Sequence, residues 1–477
     1  MLIPVKSAFV QGITATVVTV EVHLAATGLP GLSIVGQPSS ICREVRDRVR
    51  AAIVNSGLEW PNRRITVNIA GCQSRMWAGF DLAIAVGVLA ASEQLDTPDA
   101  DDDLFVGELR LDGSIVAPRG LVPIIEAGAW LFTGIAPVST AVDTTRVSMF
   151  DTLARLVDID GEPCPVPAAR TYRVDTARDL RFDSIVGMPW VKFAAEVAAA
   201  GHHHLLLTGR PGAGGAAVAA RVAGLLPDLG ADEVREREAI SSAAGREASS
   251  HGRPPTVTWS GKDLSPAAFT GGATSALLPG AVTVAHSGVL VIDDLAGLSQ
   301  IHMDALRAPM RDGTITVSRG HRTEQMPAGG LVVAVTRPCP CSETPCVCSP
   351  NALARHRRRV AGPLLDLFDL RVNLGAPHPK SPLADMFDGP DELRWERVAV
   401  AREAALVRRL NGGANGDPDH PTCVWLLQVG AVTSRGAARV AAIARTVADL
   451  VGSDSVADGH YLDAALLSGV SPDSLPA

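Results

Sequence analysis

Hydrophobic and polar positions recur with two different periods in the first third of the chain. Residues 14–23 and 64–69 are rich in β-branched side chains, a pattern typical of strands. Residues 40–54 place apolar side chains at helical spacing with charges opposite them, and residues 81–92 are apolar enough for a buried helix. We therefore predict an α/β or α+β domain over residues 1–165.

Three short apolar runs distinguish the middle of the chain. They span residues 204–208, 288–293 and 331–336, and they lack the polar alternation of a half-solvated strand. Parallel strands covered on both faces show such near-continuous runs. The pattern predicts a second α/β domain with a parallel sheet over residues 181–376.

The remaining segments are assigned from their prolines, which interrupt helices and strands, and from their composition. Residues 166–180 include Pro167 and mixed polar residues, as expected of a linker. Residues 377–477 are rich in Ala and Arg with helical periodicity, clearest over residues 437–451, and predict an all-helical domain. The polar stretch 241–255 is interpreted as a mobile loop.

Composition narrows the class of protein. Hydrophobic residues make up 47% of the 477 and charged residues 20%, which indicates a globular chain with real cores. No uninterrupted apolar stretch is long enough for a membrane span, and the start lacks the features of a signal peptide, so we expect a cytoplasmic protein. The net charge of −8 opposes polyanions, so any DNA binding needs a local basic patch.

A glycine-rich turn follows the first apolar run and leads into an Ala-rich segment. Strand, glycine turn and helix are the context of a phosphate-binding loop, where backbone amides at a helix N-terminus hold the phosphates. Such loops continue with Lys and Ser or Thr, for the terminal phosphates and for Mg²⁺. The alternative is a plain turn without ligand. The candidate nucleotide-binding residues of this turn are Gly209, Pro211, Gly212, Gly214, Gly215 and Ala216.

Two carboxylates end the second apolar run. Asp293 and Asp294 stand where a Walker B strand has a Mg²⁺-binding acid and a second acid that polarises water. The second acid is usually Glu, and Asp294 is one methylene shorter. The alternative is a solvated acidic pair after a buried strand.

Four of the eight cysteines lie within ten residues. Cys339, Cys341, Cys346 and Cys348 form two C-x-C pairs, which predict either a zinc site or four reduced thiols. The C-x-C spacing is tighter than the usual C-x₂-C knuckle. The scattered cysteines are interpreted as packing residues; they are Cys42, Cys72, Cys164 and Cys423.

Two further clusters have less specific meanings. The run 202–204 consists of three histidines and is read as a solvated loop rather than a metal site. The run 355–359 contains four arginines and could face nucleotide, a neighbouring subunit, DNA or only solvent.

The chain resembles the magnesium-chelatase-like AAA+ proteins of the ComM/YifB family over nearly its whole length. The resemblance rests on residues 28–36, 44–57, 63–70, 80–92, 107–113, 288–294, 338–341, 362–366, 434–435 and 444–450. It implies a ribosomal-S5-domain-2 or Lon-protease-like N-terminal domain, an AAA+ P-loop core and a C-terminal helical lid. It also implies ATP and Mg²⁺ as cofactors, hexameric rings and a role in DNA branch migration. The lid arginine of the family corresponds to Arg435.

Two family activities are questioned by the residues present. Proteolysis of the Lon type needs a Ser nucleophile and a Lys base, but Ser74 precedes the matching position and the Lys region has no Lys. ATP hydrolysis is questioned because the P-loop Lys and Ser/Thr are replaced by Gly215 and Ala216. The sensor Asn is replaced by Arg337, and the position that the resemblance implies for an arginine finger holds Leu367. The family's His-His pair is absent near residues 260–265.

Three functions therefore compete. The first is a nucleotide-binding-impaired or non-hydrolysing scaffold or regulatory subunit, which self-associates or assembles with an active homologue. The second is an active ATP-dependent ring motor acting on DNA in transformation or recombination, with Arg210 or Arg337 as a replacement cation. The third is an interaction protein that binds no nucleotide. Whether the chain is an enzyme depends on measured turnover.

Overall fold

A computed structural model describes residues 1–70, 78–99, 102–138, 141–158, 162–167, 181–246, 252–259, 265–272, 277–319, 322–343, 345–360, 362, 364–375, 387 and 389–475. Cys72, Ser74, most of the predicted linker and residues 260–264 lie outside these ranges. The predicted domain boundaries remain predictions.

The N-terminal part is built on a seven-stranded mixed sheet, whose strand order is β3-β4-β2-β1-β5-β8-β9. Strands β1 and β2 pair antiparallel, with Leu2 opposite His23. Helix α2 is buried along its whole length and packs on these two strands. The elements are β1 Leu2–Gln11, β2 Thr14–Leu24, β3 Gly31–Ile34, α1 Ser39–Asn55, β4 Arg64–Ala70, α2 Asp81–Ala91, β5 Asp103–Phe105, β6 Glu108–Leu109, β7 Ile115–Val116, α3 Leu121–Ile125, β8 Trp130–Gly134, β9 Val147–Phe150 and α4 Leu153–Val157.

The central part is built on a five-stranded sheet in which every pair is parallel, in the order β11-β12-β15-β10-β16. A separate antiparallel hairpin, β13 with β14, stands beside it. The elements are α5 Pro189–Gly201, β10 Leu205–Thr208, α6 Gly215–Arg221, α7 Ala231–Ala243, β11 Thr256–Trp259, α8 Pro266–Thr270, α9 Ala281–Val284, β12 Val289–Ile292, α10 Gln300–Ala305, α11 Arg307–Asp312, β13 Thr314–Arg319, β14 Arg322–Pro327, β15 Leu331–Thr336, α12 Pro350–Val360 and β16 Leu370–Asn373.

The apolar runs are explained by burial of both sheet faces. Leu205 and Leu207 face one hydrophobic core, whereas Leu206 between them faces another. Strands β12 and β15 alternate in the same way. Because successive side chains point to opposite faces, a strand covered on both sides needs apolar residues at every position. The predicted α/β fold with a parallel sheet is confirmed.

The C-terminal helices pack on α5 and share the first of these cores with the sheet. The buried carboxylate of Glu196, on α5, accepts hydrogen bonds from Arg394 at 2.5 Å and from Arg397 at 2.8 Å. The prediction of a helical C-terminal part is confirmed for the described residues. The helices are α13 Asp391–Leu410, α14 Pro421–Gln428, α15 Ser434–Leu450 and α16 Asp458–Leu467.

Two predictions about polar segments are wrong in part. His203 and His204 are buried rather than solvated: His203 Nε2 lies 2.9 Å from Thr446 Oγ1, and His204 Nδ1 accepts from the Val332 amide at 3.1 Å. Both rings find partners that are remote in sequence. The predicted loop over residues 241–255 is also wrong at its start, because α7 continues to Ala243.

Candidate functional site

The glycine-rich turn lies at the carboxyl end of β10, near the middle of the parallel sheet. In open α/β sheets, ligands bind outside the carboxyl ends of the strands. The turn begins at Gly209, whose amide donates a hydrogen bond to the carbonyl of Thr336. It ends at Gly214, which has φ +86° and caps the N-terminus of α6. Gly212 also has a positive φ, +83°. The backbone therefore has the strand–turn–helix course of a phosphate-binding loop, as predicted from the glycines.

The two acids emerge at the same edge of the sheet, from the end of β12. Asp293 is exposed, and its amide donates to Trp259 O on the neighbouring strand. Asp294 has a left-handed backbone, with φ 65°, which turns the chain away from the sheet. Asp tolerates this conformation better than most residues. The two acids thus differ in exposure and in backbone conformation.

Asp294 forms an ion pair with Arg337. Arg337, directly after β15, donates from Nη2 to Asp294 Oδ2 at 2.9 Å, and both side chains are half-buried. The other oxygen, Asp294 Oδ1, is buried and finds no hydrogen-bond partner among the described residues. His356, on α12, forms a 2.8 Å hydrogen bond through Nε2 with the carbonyl of Arg337. Arg337 therefore holds the second acid and is itself held by α12.

The turn, the acids and Arg337 line one cavity of about 420 Å³. This volume lies in the range of small-molecule sites. The sequence-predicted residues Asp293 and Asp294 are brought together with the whole candidate loop. The lining consists of Gly209, Arg210, Pro211, Gly212, Gly214, Gly215, Ala216, Ala217, Asp293, Asp294, Val335, Thr336, Arg337 and Leu374.

The space beside Gly215 is already filled. A Cβ atom at this position would lie 2.9 Å from Leu374 Cδ1 and 3.0 Å from Val335 Cγ1. Ala216, by contrast, is exposed. A Lys at position 215 would therefore need its apolar neighbours to move, whereas a hydroxyl at position 216 would not meet this packing. Leu374 carried no signal in the sequence because it acts only through its place in the fold.

The other candidate arginines lie elsewhere. Arg435, the predicted nucleotide-binding residue of the C-terminal part, is exposed at the start of α15 and is not among the residues that line the cavity. Arg355, Arg357, Arg358 and Arg359 are exposed on α12. Leu367, at the expected arginine-finger position, packs against a hydrophobic core. Arg210 is exposed, lines the cavity and pairs with no acid among the described residues.

The four clustered cysteines, here called the thiol cluster, lie on the loop between β15 and α12. The Sγ atoms of Cys339, Cys341, Cys346 and Cys348 all lie within 4.8 Å of one another. The Cys339–Cys341 distance is 3.5 Å and the Cys341–Cys346 distance is 3.7 Å. The structure thus brings together all four residues of the predicted zinc site. Cys42 and Cys423 are buried, as expected of packing residues, and Cys164 is half-buried.

The local environment shifts the pKa values of two of these thiols in opposite directions. Hydrogen bonds from the backbone near Glu343 and from Cys348 lower the pKa of Cys341 to about 6. The hydrogen bond to Cys341 raises the pKa of Cys348 to about 12. Thiolates are the form that binds metals.

Comparison with known proteins agrees with the geometry. The family described as "Magnesium chelatase, subunit ChlI" matches residues 181–381, and "Subunit ChlI of Mg-chelatase" matches residues 20–130. An uncharacterized protein of Mycobacterium tuberculosis is 34% identical, over 94% of this chain and 95% of its own length. "Uncharacterized protein YifB" of Escherichia coli is 33% identical over 95% and 94%. "Competence protein ComM" of Haemophilus influenzae is 31% identical over 95% of both chains.

The described helices are each too short or too polar to span a lipid bilayer. The similarity to the ComM and YifB proteins extends over almost the entire chain, and the parallel sheet with its phosphate-loop course is the fold that the family matches require. This chain belongs to the ComM/YifB family of magnesium-chelatase-like proteins.

Proposed function

We propose that this chain is a pseudo-ATPase, a member of its family with impaired nucleotide binding that does not hydrolyse ATP at an appreciable rate and serves as a scaffold or regulatory subunit. The observation that carries the proposal is the start of α6, where Gly215 and Ala216 stand in place of Lys and Ser or Thr. Without the Lys, the loop supplies no cation for the transferring phosphoryl group. Without the hydroxyl, Mg²⁺ loses a ligand.

The residues fit a nucleotide in part. The amides between Gly212 and Ala216 stand at a helix N-terminus, which favours a phosphate. The exposed carboxylate of Asp293 supplies oxygen ligands of the kind that Mg²⁺ prefers. Bound ATP and Mg²⁺ would supply the phosphoryl group and its counter-charge. These features support weak nucleotide binding that is retained although catalysis is lost.

The catalytic groups do not fit hydrolysis. Asp294 is engaged by Arg337, so its carboxylate is not available as a base toward water. The positive charge of Arg337 is paired with this acid and is therefore not available to a phosphate. Leu367 is apolar and packed, so it cannot act as a cation toward a neighbouring subunit. Removing one such charged group typically costs several kcal/mol of transition-state stabilisation, so the combined losses oppose turnover.

Three observations favour the alternative, an active ring motor acting on DNA. Arg210 lies on the cavity wall with an exposed guanidinium and could replace the missing cation. The exposed arginines of α12 provide the local basic patch that a DNA-binding member with net charge −8 needs. The name of the Haemophilus relative refers to competence.

The scaffold proposal includes assembly. Arg435, Arg357 and Arg359 are exposed outside the cavity and remain available for contacts with a second chain. We expect self-association or assembly with an active homologue. Light scattering with and without nucleotide, and with the homologue added, tests this expectation; monomers under all conditions would contradict it.

Turnover and binding measured on one preparation test the main proposal. Fluorescent ATP titration should show weak binding, and phosphate release should stay near background in the same buffer. The Gly215→Lys/Ala216→Thr variant should bind ATP more tightly. Strong Mg²⁺-dependent turnover by the wild type, lost in Asp293→Asn and in Arg210→Gln, would overturn the pseudo-ATPase proposal and establish the active ATPase that the motor alternative requires. No nucleotide binding at all would leave only an interaction protein.

A further inference from the structure

We propose that the thiol cluster binds one Zn²⁺ ion through Cys339, Cys341, Cys346 and Cys348, and that this ion positions α12 against Arg337 at the candidate nucleotide cavity. The cluster lies outside the cavity lining, so the metal has no direct part in nucleotide contact. Its role is to fix the segment that joins β15 to α12.

The spacing of the sulfur atoms fits one tetrahedral ion. Zinc–sulfur bonds of about 2.3 Å in a tetrahedron place the sulfurs about 3.8 Å apart. The Cys339–Cys341 and Cys341–Cys346 distances, 3.5 and 3.7 Å, are close to this edge. A disulfide would need about 2.05 Å. All four sulfurs lie within 4.8 Å of one another, so small adjustments complete the tetrahedron.

The charge of the surroundings suits such a site. A zinc ion with four thiolates carries a net charge of about −2. Helix α12 begins at Pro350, two residues after Cys348, and a helix N-terminus favours negative charge. The amides of this N-terminus therefore offer positive potential on the side where the anionic site meets the helix.

The placement of the ligands gives the ion its structural effect. Cys339 follows the end of β15 by three residues, and Cys348 precedes α12 by two. A common ion fixes the end of the strand relative to the start of the helix. Helix α12 places His356 on the carbonyl of Arg337, and Arg337 holds Asp294. The metal site thus orders the chain of contacts that ends in the cavity.

Elemental analysis of the full chain, purified without added metal, tests the site directly. We expect about one zinc per chain and no iron. Cys346→Ser, at the exposed ligand, should lower zinc content roughly tenfold or more. Cys164→Ser, at a cysteine outside the cluster, is the matched control and should keep the full zinc content. Cobalt added to the apoprotein should give the visible spectrum of a tetrahedral thiolate site.

Hydrogen exchange tests the positioning role independently of nucleotide. Amides of α12 should exchange at least several-fold faster in Cys346→Ser than in the wild type and the Cys164→Ser control. A wild-type protein that contains no zinc and takes up neither zinc nor cobalt would overturn the site. Bound iron, or disulfides among the four cysteines, would overturn it too. Full zinc loss with unchanged α12 exchange would overturn the positioning role.

Discussion

The guanidinium of Arg337 lies 2.9 Å from the carboxylate of Asp294, and the two residues come from the ends of neighbouring strands at the edge of the cavity. This pair joins the residue that the family resemblance places at the sensor position to the residue that it places as the water-polarising acid. The two departures from the family pattern are therefore coupled: the replacement at position 337 occupies the acid at position 294.

Releasing this pair should increase activity only where the phosphate loop is repaired. We expect Arg337→Asn added to Gly215→Lys/Ala216→Thr to raise Mg²⁺-dependent phosphate release about tenfold or more above the loop variant alone, because Asp294 becomes available to water. Arg337→Asn without the loop changes should stay inactive. Arg210→Asn, at the other cavity arginine, is the control, and an equal gain from it would show that charge alone matters.

The packing beside Gly215 predicts a cost for restoring the lysine. Gly215→Lys should lower the free energy of unfolding by about 1–3 kcal/mol, because its Cβ meets Leu374 and Val335. Ala216→Thr, at an exposed site, should change it by less than about 1 kcal/mol. Adding Leu374→Ala should reduce the cost of Gly215→Lys relative to its cost in the wild type. Strictly additive effects in urea titrations would show that the two sites do not clash.

The buried carboxylate of Glu196 should be essential for stability. Its side chain is 0% exposed and that of its partner Arg394 is 1% exposed. Glu196→Gln should cost about 3–5 kcal/mol, since it removes the nearest carboxylate from the buried guanidinium of Arg394 and leaves only Asp391, at 3.7 Å, as its acidic partner. Glu392→Gln, which removes an exposed partner of Arg181, should cost less than about 1 kcal/mol. Similar midpoints of denaturation for the two variants would contradict this distinction.

His204 should make the protein less stable in mild acid. Burial lowers the pKa of His204 in the folded protein, whereas the unfolded chain has a value near about 6.5. Below that pH the unfolded state binds more protons, so stability is retained above about pH 6.5 and declines as the pH falls through it. His204→Gln should be less stable at pH 7 and show a shallower loss between about pH 7 and 5. An unchanged slope would assign the acid sensitivity to other groups.

The strands and helices with strong patterns were predictable to within a few residues. The apolar runs of β10, β12 and β15 are dictated by burial on two faces, and α2 by burial on all sides. The glycine turn and the acids were also predictable as one site, because parallel strands bring their carboxyl ends to one edge of a sheet. These inferences need only local periodicity and strand direction.

The contacts that decide the chemistry were not predictable from local pattern. Leu374 fills the space at Gly215 although the two residues are far apart in the sequence. His204 is satisfied by Val332 and by the carbonyl of Met310, so a polar run became part of a core. The sequence shows that Arg337 departs from the family pattern. Its ion pair with Asp294 depends on the strand order, which places β15 next to β12. Each of these depends on which segments the fold makes neighbours.

The core shared by the sheet and the C-terminal helices limits how the molecule can bend. A swing of those helices away from the sheet would open one hydrophobic interior to water and separate Glu196 from both guanidiniums. Both consequences are unfavourable. Any opening of the C-terminal helices that accompanies occupancy of the cavity would therefore carry both of these costs.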